Sequence, residues 1–194
     1  MLDITVFFVA TALTVIAGIT LTNVLIFPRL RTSETPIKDT PRVSVMIPAR
    51  DEAAVIGETI THMLAQDYPN FEVILLDDHS TDGTGDIARN AGNGDSRLTV
   101  LQGKPLPDGW MGKNWGCHQM AQQANGDILL FTDADTRWHP SGLSALVNAM
   151  QNSGADLYTI WPTQHTITWA ERLTVPLMAV ARIGCRLPPS TMGW

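Results

Sequence analysis

Residues 129–137 read LLFTDADTR, an apolar run that stops on two carboxylates, Asp133 and Asp135, with one residue between them. The run has the character of a buried strand, and carboxylates at the edge of a core are costly unless something answers their charge. Two earlier stretches are built the same way. VSVMI (43–47), set between Pro41 and Pro48, leads into the strand end IPARDE (47–52), and FEVILL (71–76) leads into LLDDHSTDGT (75–84). Three polar strand ends, two of them acidic, would repel one another if they met on one sheet edge without a counter-charge. A divalent metal, or a ligand carrying one, would supply it.

The intervening segments decide whether the strand ends meet. Apolar residues at Ile56, Ile60, Met63 and Leu64 predict a helix over 53–66. Shorter helices are expected at 86–90, at 113–124 and from Pro140 to Met150, with Pro140 in the first turn. Further strands are expected at 98–101, 127–132 and 156–161. Alternating strands and helices predict an α/β domain with a mostly parallel sheet covered on both faces. Such sheets bind ligands beyond the carboxyl ends of their strands.

The N-terminal segment is different in kind. Residues 4–27 carry no charge, a length that predicts a membrane-spanning helix in an anchor over 1–28. No basic residue precedes the run and no small-residue cleavage site closes it, which argues against a signal peptide. Arg29, Arg31, Lys38 and Arg42 follow it, so the domain is expected on the cytoplasmic side. Residues 28–42 hold three prolines, and 29–42 read as a tether leading into a domain over 43–162. The formal charge of −6 lacks the basic stripe of a nucleic-acid binder. Cys117 and Cys185 lie far apart, which suits buried thiols rather than a metal site or a disulfide framework.

The acidic motifs have other readings. DHSTDG (78–83) mimics the start of a calcium loop, but its twelfth position is Arg89 where a bidentate Glu belongs. FTDADT is also similar to the opening motif of haloacid-dehalogenase phosphatases, yet it stands far from the start of the chain and no lysine follows Lys113. A lone D-x-D would be read as turn-capping carboxylates. Its place beside two other polar strand ends reverses that preference.

IPARDE, LLDDHSTDGT and GKNWGCHQMAQQANGDILLFTDADT, in that order and spacing, resemble the inverting family 2 glycosyltransferases of GT-A fold across residues 41–160. GWMGKNWGC (109–117) and the anchor are similar to a membrane-bound branch associated with hopanoid and carotenoid-type lipids. The resemblance implies transfer of a sugar from a nucleotide-diphosphate donor, with a UDP-sugar favoured, to a lipid-like acceptor, with Mg2+ or Mn2+ as cofactor. It implies Asp135 as metal ligand, Asp133 on the ribose or sharing the metal, and Asp78 accepting a hydrogen bond from the base. It further implies that Pro48, Ala49, Arg50 and Glu52 line base and ribose, and that Lys113 approaches the phosphates. For Lys113 a solvated lysine at a helix start is an equal reading, and His79 and His139 read as turn histidines. A sugar nucleotidyltransferase ranks last, because its Gly-rich loop near the first strand is missing.

Residues 163–194 mix apolar side chains with Glu171, Arg172, Arg182 and Arg186. They fit either an amphipathic helix on the membrane or a helix packed on the domain. Inverting transfer needs a carboxylate that takes the acceptor's proton. After Asp135 only Asp156 and Glu171 remain, the family's later Q-x-x-R-W-type motif is missing, and the chain stops at PPSTMGW. A C-terminally truncated sequence is expected, one that binds donor but transfers sugar poorly, with its catalytic residue unknown.

Overall fold

The computed structural model describes residues 2–26, 39–160, 162–163, 166–169 and 171. Two compact units divide the chain, one of residues 1–29 with 161–194 and one of residues 30–160. Most of the expected tether, Trp161 and the segment after Glu171 lie outside the described residues.

The second unit is an α/β domain built on four parallel strands in the order β3-β2-β1-β4. They are β1 (Val43–Ala49), β2 (Phe71–Asp77), β3 (Leu98–Gln102) and β4 (Ile128–Phe131). Strand β1 is central. It pairs with β2 from Val43↔Phe71 to Ala49↔Asp77 and with β4 from Val43↔Ile128 to Met46↔Phe131. A strand covered on both faces needs apolar residues at successive positions rather than alternate ones, which is why β1 and β2 read as near-continuous apolar runs. Pro48, which lacks an N–H, sits just past the end of the β4 pairing, where no ladder bond is lost.

Helices cover both faces. Ile56, Ile60 and Met63 of α2 (Ile56–Leu64), Ala88 of α3 (Thr84–Gly92) and Leu143 and Val147 of α5 (Gly142–Ser153) pack with Val45, Ile47, Val73 and Leu75. On the other face, Met120 of α4 (Gly112–Ala121) packs with Met46, Ile74 and Leu76. The two sets alternate along β1 and β2, as the period of two requires. The strand expected at 156–161 is not formed over its described residues, 156–160. Leu157 there is 86% exposed, so its apolar character finds neither a sheet edge nor a core.

At the N-terminal edge of the sheet one carboxylate ties three strands. Glu72 accepts hydrogen bonds from Arg42 Nη2 at 2.6 Å, buried Ser44 Oγ at 2.6 Å and the Asn125 N–H at 2.7 Å. Ser44 Oγ in turn accepts from Gly126 N at 2.8 Å, and a β-carbon on Gly126 would lie 2.6 Å from Ser44 N. Burial alone would push the Glu72 carboxyl up. The Ser44, Asn125 and Arg42 contacts together outweigh burial and hold it below its ordinary 4.5. A depressed folded pKa adds stability that is present above the unfolded pKa and is lost as pH falls through the folded one. Glu72→Gln is therefore expected to lower stability in urea by about 2 kcal/mol at pH 7. The gap from wild type should close as pH drops below 4.5.

Helix α1 (Leu2–Ile26) belongs to the first unit. Thr11, Thr14 and Thr22 return their hydroxyls to carbonyls one turn earlier. Phe7, Phe8 and Leu13 are exposed. Among the described residues no helix is long and apolar enough to cross a membrane, so the spanning helix expected within residues 1–28 is not found there.

Candidate functional site

The strand order reverses direction between β1 and β4, and a cavity of about 430 Å3 opens at the carboxyl ends of the strands there. That is where an open parallel sheet leaves a crevice. Pro48, Ala49, Arg50 and Glu52 line it from the end of β1, and Leu76 and Asp78 from β2. Gly112, Lys113 and Gly116 contribute from the first turns of α4, and Asp133, Ala134 and Asp135 from the turn after β4. All the site residues named from the sequence thus meet on one cavity.

The loops after β1 and β2 are laced together. Asp51, in a left-handed conformation at φ 54°, donates its N–H to Ser80 Oγ at 3.0 Å, and its Oδ1 accepts from the Thr81 N–H at 2.8 Å. Glu52 N donates to Thr84 Oγ1 at 2.8 Å and Ala53 N to Asp82 Oδ2 at 2.9 Å. The Thr84 hydroxyl, aided by the Ala53 N–H, holds the Asp82 carboxyl below the usual range. The polar residues that mimic a calcium loop are the cross-links that fix Arg50 and Glu52 on the rim.

The paired aspartates that end β2 divide their work. Asp77 is buried, and its Oδ1 accepts the Ser80 N–H at 2.9 Å. Asp78 turns the other way, as adjacent positions on a strand must, and lines the cavity. Its carboxylate stands 4.0 Å from Arg50 Nη1 and 3.2 Å from His79 Nδ1. Gly103 backs it, since a β-carbon there would lie 3.0 Å from Asp78 Oδ1. His79, at φ 60°, and His139, which meets Ser141 Oγ at 2.9 Å, both sit in turns and neither lines the cavity.

The D-x-D turn is held by its backbone. Thr132 N extends the ladder to Met46 O at 3.1 Å, and the carbonyl of buried Ala134 accepts from Thr59 Oγ1 of α2 at 2.6 Å. With Ala134 pinned inward, Asp133 and Asp135 on either side are left exposed. Lys113 Nζ reaches across from α4 to Asp133 Oδ1 at 2.6 Å, and the hydrogen bond with Asp133 raises the lysine's pKa.

Four carboxylates (Glu52, Asp78, Asp133, Asp135) and two cations (Arg50, Lys113) line the cavity, a formal charge of −2. A diphosphate would be repelled from such a lining unless a cation came with it. Among the described residues no group of three or more His, Cys, Asp or Glu is placed to hold a metal. The D-x-D pair supplies two hard oxygen donors, which fits Mg2+ or Mn2+ held by one or two carboxylates with phosphates and water completing the shell.

Sequence reasoning missed the glycine face of α4, Gly112 and Gly116, where the missing side chains leave room in the cavity. The spacing of four within GKNWG was the signal for it. It also missed a ring cluster at the start of α4. Trp110 and Trp115 meet edge to face at 5.2 Å, and Trp115 stacks on His118 at 5.5 Å.

A family model described as glycosyl transferase family 2 matches residues 44–186. Glycosyltransferase AglE of Haloferax volcanii is 33% identical over 119 residues, which are 60% of this chain and 38% of that protein. A 4,4'-diaponeurosporenoate glycosyltransferase of Staphylococcus haemolyticus is 33% identical over 65% of this chain and 32% of its own length. The match therefore spans about a third of these curated relatives. Among solved structures, a Pyrobaculum calidifontis mannosyltransferase in complex with GDP-Man and Mn2+ superposes with a TM-score of 0.56. It is 28% identical, over 73% of this chain and 43% of that one.

Proposed function

The chain belongs to glycosyl transferase family 2, and from that premise we propose that its strand-end cavity binds a nucleotide-diphosphate sugar for inverting transfer to a lipid-like acceptor. The observation that carries the reading is the cavity's charge of −2 at the switch point of a parallel sheet. Asp78 accepts from the base while Pro48, Ala49, Arg50 and Glu52 enclose base and ribose. Asp135, with Asp133, would hold Mg2+ or Mn2+. When bound, the metal screens the diphosphate and stabilises the charge on the departing nucleoside diphosphate. The mannosyltransferase complex with GDP-Man and Mn2+ supports a metal-accompanied donor. The resemblance favours UDP, so UDP and GDP belong in the same test.

A second reading, donor binding without transfer, is favoured by the state of the two carboxylates after Asp135. Asp156 is exposed and does not line the cavity. Glu171 is committed to a capping box, its carboxylate accepting the N–H groups of Ile167 and Thr168 at 2.8 and 2.9 Å while its own N–H donates to Thr168 Oγ1. The deciding experiment incubates the chain with Mn2+, membrane lipid extract and radiolabelled UDP- or GDP-sugars. Label in the organic phase over many turnovers establishes transfer, and binding without label establishes the second reading. Neither binding nor label refutes both.

The exposed apolar side chains of α1 and the basic residues after it support a membrane-associated protein with its α/β domain on the cytoplasmic side. Protease added to intact cells is then expected to spare the domain, and protease added after lysis to cut it. Digestion in intact cells would reverse the topology.

A further inference from the structure

Both cations of the cavity lie near aspartates. Arg50 stands 4.0 Å from Asp78, and Lys113 makes a hydrogen-bonded contact of 2.6 Å with Asp133. The second contact does little for the fold. Its side chains are 66% and 63% exposed, and ion pairs this open contribute little to stability. The turn that carries Asp133 is already held by the Thr132 ladder bond and by Thr59 on the Ala134 carbonyl. The lysine therefore joins α4 to the D-x-D turn by a bond that the architecture does not require.

The bond does have an electrostatic consequence. It places a positive charge on one of the two carboxylates available to a divalent cation. Lysine and a divalent cation on the same oxygen repel each other, so both cannot hold Asp133 at full strength. A flexible stem and a compact point charge suit lysine to moving between anions. A diphosphate entering the cavity would offer the lysine a stronger anion than the carboxylates that line it.

We infer that Lys113 is an exchangeable counter-cation, held on Asp133 while the cavity is without donor and transferred to the donor's diphosphate when a divalent cation takes its place on the carboxylate. The inference rests on the donor reading above. Lys113 is thereby a positioning residue with two opposed effects. It weakens binding of the metal alone and strengthens binding of metal with diphosphate, so that the two ligands enter together. A lysine fixed on Asp133 in every state would lack the second effect.

The test compares the wild-type chain with Lys113→Met and Lys113→Arg. Mn2+ alone is titrated by electron paramagnetic resonance, and UDP and GDP are titrated calorimetrically in saturating Mn2+, with uridine and guanosine as controls. Lys113→Met is expected to bind Mn2+ at least about threefold more tightly and the diphosphate at least about tenfold more weakly, with nucleoside binding unchanged. Lys113→Arg should restore most of the diphosphate affinity. Unchanged or weaker Mn2+ binding in Lys113→Met, or unchanged diphosphate binding, overturns the exchange while leaving the donor reading intact. If the wild-type chain binds neither diphosphate with Mn2+, the donor reading and the exchange fall together.

Discussion

Asp135→Asn is expected to weaken binding of UDP or GDP in saturating Mn2+ by at least about tenfold, or 1.4 kcal/mol, in a calorimetric titration. The substitution keeps the size of the side chain and removes its charge. It takes away one of the two anionic oxygen donors of the turn and moves the lining charge from −2 to −1. The fold should survive, because the turn is anchored by Thr132 and Ala134 rather than by the side chain of Asp135. In EDTA, wild type and variant should converge, since the contribution of Asp135 is expressed through the metal. Unchanged affinity with Mn2+ would remove Asp135 from the site.

Asp78→Ala has its effect at the other end of the donor. It is expected to weaken binding of the nucleoside alone, without phosphate or metal, by roughly tenfold, the scale of a hydrogen bond to a charged acceptor. Asp77→Ala should behave in the opposite manner. It strips the acceptor from the Ser80 N–H beneath the loop, lowering thermal stability by about 1–2 kcal/mol with nucleoside affinity much less affected. Uridine and guanosine titrations on both variants, together with their melting curves, separate the two roles. Nucleoside binding lost in Asp77→Ala and kept in Asp78→Ala would assign the base contact to the wrong carboxylate.

The strand ends are legible in the sequence because burial on both faces writes β1 and β2 as unbroken apolar runs, and a polar break marks where each run leaves the core. Chain order supplies the rest, since alternating strands and helices put those ends on one edge. What escapes is what depends on separate loops meeting. Asp51 finds Thr81 at a separation of 30 residues, Lys113 finds Asp133 at 20, and Glu72 gathers Arg42 and Asn125 from 30 and 53 positions away. None of these pairs has a local pattern. The segment 156–161 shows the reverse failure. An apolar run of strand-like length predicts a strand, but a strand also needs an edge to pair with, and composition does not report one.

The cavity at the carboxyl ends of β1, β2 and β4 is proposed as the nucleotide-sugar site. A backbone-amide NMR titration of the full chain with UDP and with GDP, in Mg2+ so that no resonance is broadened by the metal, tests it most directly. Saturable shifts are expected to centre on Ala49–Glu52, Asp78, Gly112–Gly116 and Asp133–Asp135, and to be abolished for the last group by EDTA. Saturable shifts centred instead on the surface around Arg89, Gly94 and Val100, or no shifts with either nucleotide, would contradict it.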